Sequence, residues 1–145
     1  MSKVTALAQL ASILEDNTSA TKAHVYPPES LGELPCFVLE WMRGTLGMAT
    51  ASTLTHELCT AIAVLYINRQ VLPVASTTAR PFIDEVRDAL NGNASLNSTC
   101  VCVEEIRFEG PGAIDYTSSS GVTNWYYGIR FEIDIRFKDS TTWAL

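Results

Sequence analysis

The sequence predicts an α+β domain: a single antiparallel, twisted β-sheet with helices packed on one face. Three stretches carry that prediction. The run WYYGIRFEIDIRFK, Trp125 to Lys138, puts Trp125, Tyr127, Ile129, Phe131, Ile133, Ile135 and Phe137 on one parity. Tyr126, Gly128, Arg130, Glu132, Asp134, Arg136 and Lys138 fall on the other. Alternation this strict is a strand with one apolar and one charged face, and at roughly 3.3 Å per residue it spans about 45 Å. Ser2 to Glu15 and Ser76 to Asn91 repeat apolar residues every three or four positions, as helices that cover such a face would.

The first helix places Val4, Leu7, Leu10, Ala11 and Leu14 in its stripe, with Ser2 able to cap its start. Asp16 to Ala20 breaks it. Ala23 to Tyr26 is a short apolar stretch, and Pro27-Pro28 through Leu34-Pro35 reads as an extended surface connection, since prolines fit neither a helix interior nor a central strand. Cys36 to Met42 is a strand with Phe37, Leu39 and Trp41 on one face. Arg43 to Thr53 forms a hairpin loop or an extended arm. Leu54 to Asn68 is a further strand; Glu57 to Ala63 would also suit a helix, but Thr53, Thr55 and Thr60 weigh against that.

The second helix, Ser76 to Asn91, is capped by Thr77 or Thr78 and buries Phe82, Val86, Ala89 and Leu90. Pro81 belongs in its first turn or kinks it, and Asn91-Gly92-Asn93 ends it. Thr99 to Glu109 is a strand with Val101, Val103, Ile106 and Phe108 inward, given a bulge at Glu104-Glu105 that switches parity. Gly110-Pro111-Gly112 reads as a turn, Ala113 to Thr117 as a short strand, and Ser118 to Gly121 as a hairpin loop. The whole chain, 1–145, fits one domain, with 139–145 as a loose tail.

Composition narrows the function. A net charge of −6 opposes general nucleic-acid binding, which needs basic side chains against phosphates. Met1 to Leu14 has no compact apolar core and Ala61 to Ile67 is too short to span a bilayer, so the chain reads as a soluble cytoplasmic protein without membrane contact. Cys36, Cys59, Cys100 and Cys102 form no C-x-x-C pair and are expected as free thiols. Cys100 and Cys102 share a strand face, a poor geometry for a disulfide, and C-x-C alone is not a structural zinc motif.

No nucleophile elbow, P-loop, dinucleotide fingerprint or zinc-protease motif is present, and no catalytic residue, cofactor or metal ligand is expected. His56 and Glu57 point to opposite faces of a strand, as do Glu104 and Glu105 unless a bulge re-aims one. The Gly110-Pro111-Gly112 glycines precede a strand, so no helix dipole backs a phosphate there. A long charged strand, two projecting loops and an acidic balance suit a self-associating assembly subunit better than an enzyme.

The order of features carries a resemblance. The N-terminal helix is followed by YPPESLGELPCFVLEW, LTHELCTAIAVLYIN, RPFIDEVRDAL, EEIRFEGPGAIDY and NWYYGIRFEIDIRF. In that order and spacing the chain resembles, over nearly its whole length, the tail terminator (tail-completion, minor tail protein U-like) proteins of long-tailed bacteriophages. The resemblance implies a virion subunit, assembled in the host cytoplasm, that forms a homohexameric ring on the finished tail tube. The ring stops tube polymerisation, docks the head connector at the neck and lets genomic DNA pass without specific binding. An acidic bore wall would avoid trapping phosphates. The family brings no catalytic residues.

Candidate residues follow from charge and position. Arg130, Glu132, Asp134 and Arg136 are candidates for pairing between neighbouring subunits. Glu104, Glu105, Glu109 and Asp115 are candidates for the bore. Arg43, Thr45, Leu46 and Met48 in one loop, and Ser118, Ser119 and Ser120 in the other, are candidates for contact with tail tube protein or connector. A head-closure ring protein of the neck is the related alternative. A small-ligand-binding α+β domain is the distant one, and it would need a polar cluster around His56 or Cys100.

Overall fold

The computed structural model describes residues 2–46, 54–68, 73–118 and 120–140. Two helices, α1 (Lys3–Asn17) and α2 (Pro73–Asn91), accompany five strands: β1 (Lys22–His24), β2 (Cys36–Gly44), β3 (Leu54–Asn68), β4 (Cys102–Thr117) and β5 (Thr123–Ser140). The strands form one sheet in the order β1-β2-β3-β5-β4. β5 lies between β3 and β4 and is antiparallel to both, so its long backbone is hydrogen-bonded on either side.

The architecture is α+β, but the sheet is mixed rather than antiparallel throughout. β1 runs parallel to β2, with Lys22 opposite Cys36. Residues 25–35 leave the sheet after β1 and return to the same end of it, where the Thr21 amide donates to the Pro35 carbonyl at 2.8 Å. Pro27, Pro28 and Pro35 have no amide hydrogen to give a ladder, so this excursion takes the place of a tight hairpin.

Alternation decides the main core. Phe37 and Leu39 of β2, Ala61, Ala63 and Leu65 of β3 and Ile129, Phe131, Ile133 and Ile135 of β5 are buried in one cluster with Leu7, Leu10 and Leu14 of α1 and Phe82, Val86 and Leu90 of α2. Ser2 caps α1 by accepting from the Thr5 amide at 3.3 Å. At the other end Asn17 and Thr18 donate to the Ile13 and Leu14 carbonyls at 2.9 and 2.5 Å, satisfying acceptors the helix leaves open. Glu85 of α2 then accepts from the Ser19 amide and hydroxyl at 3.1 and 2.6 Å, joining the two helices. Val4, expected in the stripe, is 81% exposed, while its neighbour Lys3 turns to the sheet and meets Glu57 of β3 at 2.8 Å and the Phe137 ring of β5.

Several boundaries differ from expectation. α2 begins at Pro73 rather than Ser76, which places Pro81 well inside the helix and not in its first turn. β4 begins at Cys102 rather than Thr99; Cys100 is buried in the main core while Cys102 faces Arg136 in the sheet, so the two thiols do not share a strand face. Gly110-Pro111-Gly112 is not a turn between two strands. β4 runs through it as a bulge in the β5 register, between Glu109 opposite Arg130 and Gly112 opposite Gly128, with Gly110 at φ +104°. A glycine takes that conformation without the penalty of a side chain, so the strand bends and continues. The expected bulge at Glu104-Glu105 is present as a register shift between Val103 and Glu105. Asp139 and Ser140 belong to β5 rather than to a loose tail; residues 141–145 lie outside the described residues.

Candidate functional site

Side chains of the second parity emerge on the side of the sheet away from the main core. The register arranges them in rows across four strands. Val38, Val64, Arg130 and Glu109 make one row, Glu40, Ile62, Glu132 and Arg107 the next, and Arg43, Thr60, Asp134 and Glu105 a third. The rows hold Arg130, Glu132 and Asp134, with Arg136 in the next row opposite Leu58 and Cys102, and show how differently the four charged residues singled out on β5 are used.

Asp134 is already occupied. It accepts from both terminal nitrogens of Arg107, at 2.7 and 3.0 Å, and from the Thr60 hydroxyl at 2.6 Å. Its side chain is 12% exposed, against 36% for Arg107. The fork geometry of the guanidinium suits this double contact, and its hydrogen bond, assisted by the Thr60 hydroxyl, holds the Asp134 carboxyl below the usual carboxylate range. The same contact raises the Arg107 guanidinium further above its ordinary value. Arg136 is likewise taken, donating from Nε to Glu104, which raises its own pKa. These two residues are tied within the chain rather than held free for a neighbour.

Arg130 and Glu132 are different. Arg130 is exposed, and its contact is a donation to the Met42 sulfur at 3.6 Å. Among the described residues neither it nor Glu132, Glu40 or Arg43 is ion-paired. The four therefore form an uncommitted patch, two cations and two anions, around the satisfied Arg107–Asp134 pair.

The acidic candidates all lie on β4, at the edge of the sheet, but they do not form one acidic surface. Glu104 faces Arg136, and Glu105 accepts from Arg107 at 2.9 Å. Glu109 sits opposite Arg130 in register without an ion pair. Asp115 is exposed and alternates with half-buried Ile114 and buried Tyr116. Two of the four carboxylates are thus neutralised locally. Arg107 was missed from sequence, although its place between Glu105 and Glu109 on one parity signals it once the bulge at Glu104 is allowed for.

Of the loop candidates, Arg43 lies inside β2 next to Gly44, Thr45 exchanges hydrogen bonds with Leu58 and Leu46 is 72% exposed. Met48 and Ser119 lie outside the described residues. Ser118 and Ser120 stand at the β4–β5 hairpin tip, their hydroxyls 2.8 Å apart, and Gly121 supplies the positive φ of +86°. His56 is exposed and opposite Lys138. Cys100 is buried beside the Ala94 carbonyl. Among the described residues no group of three or more His, Cys, Asp or Glu could hold a metal, and no helix is long and apolar enough to cross a membrane.

The far end of this face holds a second small core that the sequence reading missed. Tyr66, Tyr116 and Tyr126 meet edge-to-face, with ring centroids 5.4 to 6.4 Å apart, and Leu31, Cys36 and Val38 pack on them. The Tyr116 hydroxyl donates to the Pro28 carbonyl, which fastens residues 25–35 over this end of the sheet. Aromatic residues on the polar parity of three strands were the available signal.

The chain matches no protein-family profile and no curated protein sequence at a significant level.

Proposed function

We propose that the chain is a structural virion subunit of the tail-terminator kind. In this reading it forms a homohexameric ring on a phage tail tube, ends tube growth and offers a docking surface to the head connector. The twisted sheet carries both helices on one face, and the other face meets the neighbouring subunit. The observation that supports this most is the uncommitted patch of Glu40, Arg43, Arg130 and Glu132 on a sheet face that carries no helix residue of the main core. Charges of both signs, held in fixed register by four strands, select one docking geometry over others. Glu109 and Asp115 on the edge strand are then the carboxylates available to a bore wall, and the tips at Leu46 and Ser118–Ser120 the reach toward tube or connector.

Negative-stain microscopy with solution mass across a concentration series tests the reading. The expected result is closed rings at six times the 15.9 kDa chain, and purified tail tubes whose ends they cap. Chains that stay monomeric and leave tube ends bare would overturn it.

A further inference from the structure

Two glycines leave a hole in the sheet face that carries no helix. The register row Tyr66, Gly128 and Gly112 crosses three strands and has one side chain. Val64, Arg130 and Glu109 form the row beside it, and Ile114, opposite Tyr126, lies on its other side. Val64, Tyr66, Ile114, Arg130 and Glu109 wall a cavity of about 430 Å³ over the glycine pair. Arg130 and Glu109 stand opposite each other at its rim, and among the described residues neither has an ion pair. A Cβ added at Gly112 would meet no atom within 4 Å, and Gly112 has no positive φ, so the space is open and the backbone does not require a glycine there.

The opposite face carries a matching projection. Trp125 is the largest exposed aromatic side chain among the described residues, at 62% exposure. It has the parity of the main core but lies two residues before Tyr127, where β5 enters that core. Its cross-strand neighbour on the same face is Asp115, which is exposed and has no ion pair among the described residues. Trp125 and Gly128 are three positions apart on one strand and face opposite ways, so a chain cannot fill its own hole.

We propose that the Trp125 indole of one copy fills the glycine-floored cavity of the next. The occupant is a second copy because the two surfaces match in shape and in charge. The indole lies over the glycines and supplies the packing they cannot. Arg130 meets the indole face and pairs with the Asp115 carboxylate that accompanies Trp125. The indole N–H, a donor only, donates to Glu109. Each uncommitted group at the rim thus gains a partner, and both carboxylates move from the bore wall into the contact. Two different surfaces meet, so the contact repeats head to tail, as it must in a closed ring. It presupposes the ring proposed above and supplies what joins its subunits.

Light scattering of the full chain across a concentration series, beside thermal melts, tests this. Trp125→Ala removes the projection and Gly112→Val fills the cavity. Each should raise the concentration needed for rings about tenfold or more, with a melt within about 2 °C of the parent's. An equimolar mixture of the two variants keeps one intact projection facing one intact cavity, and should give one-to-one pairs where each variant alone is monomeric. Asp115→Arg and Arg130→Asp should each weaken assembly, and the double variant should restore it. Rings at the parent's concentration in both Trp125→Ala and Gly112→Val, or no recovery in the charge swap, would overturn this contact and leave the ring reading standing. A parent that stays monomeric and leaves tube ends bare would overturn both.

Discussion

Asp134 is the residue at which charge and stability are most tightly joined. Its carboxylate gains two bonds from Arg107 and one from Thr60 in a site that is nearly closed to water, and its pKa is depressed on folding. A depressed carboxylate favours the folded state at pH values above its unfolded pKa of about 4. That contribution is lost as pH falls through the lower folded value. Asp134→Asn keeps the size but halves the acceptor capacity, and should lower the unfolding free energy by about 2 kcal/mol at neutral pH. Urea titrations at pH 7 and in the acid limb check this, because the variant's deficit should shrink on acidification. The thiols report burial in the same way. Cys36 is pushed up to about 12 and Cys100 to about 11, in each case chiefly by burial, and Cys59 is raised for the same reason. Only half-buried Cys102 should react quickly with a thiol reagent in the native protein, the other three titrating after unfolding.

Elements explain which parts of this structure were legible in advance. β5 could be read from sequence because its apolar and charged residues alternate without a break, and nothing local competes with that pattern. α1 and the interior of α2 were legible for the same reason at period 3.6. Gly110-Pro111-Gly112 was misread because a glycine–proline–glycine run has turn chemistry, yet thirteen register pairs with β5 hold β4 together across it. The parallel β1 was invisible: three residues carry no period, and the pairing depends on the return of residues 25–35. After α2, Leu96, Asn97 and Ser98 have φ values of +48°, +56° and +66° in succession. The turn is held by backbone bonds from Leu96 to Asn93 and from Thr99 to Ser95, with buried Leu96 as its anchor. Ser98→Gly should therefore stabilise the protein by up to about 1 kcal/mol, seen as a higher urea midpoint at constant slope. Gly128 is the opposite case, since an added Cβ would lie 1.9 Å from the Leu65 carbonyl oxygen on β3. Gly128→Ala should cost about 3 kcal/mol or more by forcing β3 and β5 apart, and a thermal melt no lower than the parent's would show that the strands can yield there.

At the scale of the whole molecule, the charge is unevenly placed. The polar face holds Glu40, Glu104, Glu105, Glu109, Glu132 and Asp134 against Arg43, Arg107, Arg130, Arg136 and Lys138, a near balance in a chain of net charge −6. The acidic excess therefore lies elsewhere, and long-range repulsion between copies should be least when this face is the one that approaches a neighbour. Three ion pairs inside the face, Arg107 with Asp134 and Glu105 and Arg136 with Glu104, fix its rows, while Arg130 and Glu132 are not ion-paired among the described residues. That division predicts a separation of effects. Arg130→Glu should leave thermal stability within about 0.5 kcal/mol of the parent, since its contact within the chain is the Met42 sulfur. If the proposed ring forms through this face, the same substitution should move it toward monomer, and added salt should weaken the parent ring by screening the same contacts. Asp134→Asn should do the reverse, lowering stability while the folded fraction still assembles. Light scattering across a salt series, beside thermal melts of both variants, reads the two effects independently. Rings of unchanged mass in Arg130→Glu at every salt concentration would remove this face from the interface and turn attention to the exposed sides of α1 and α2.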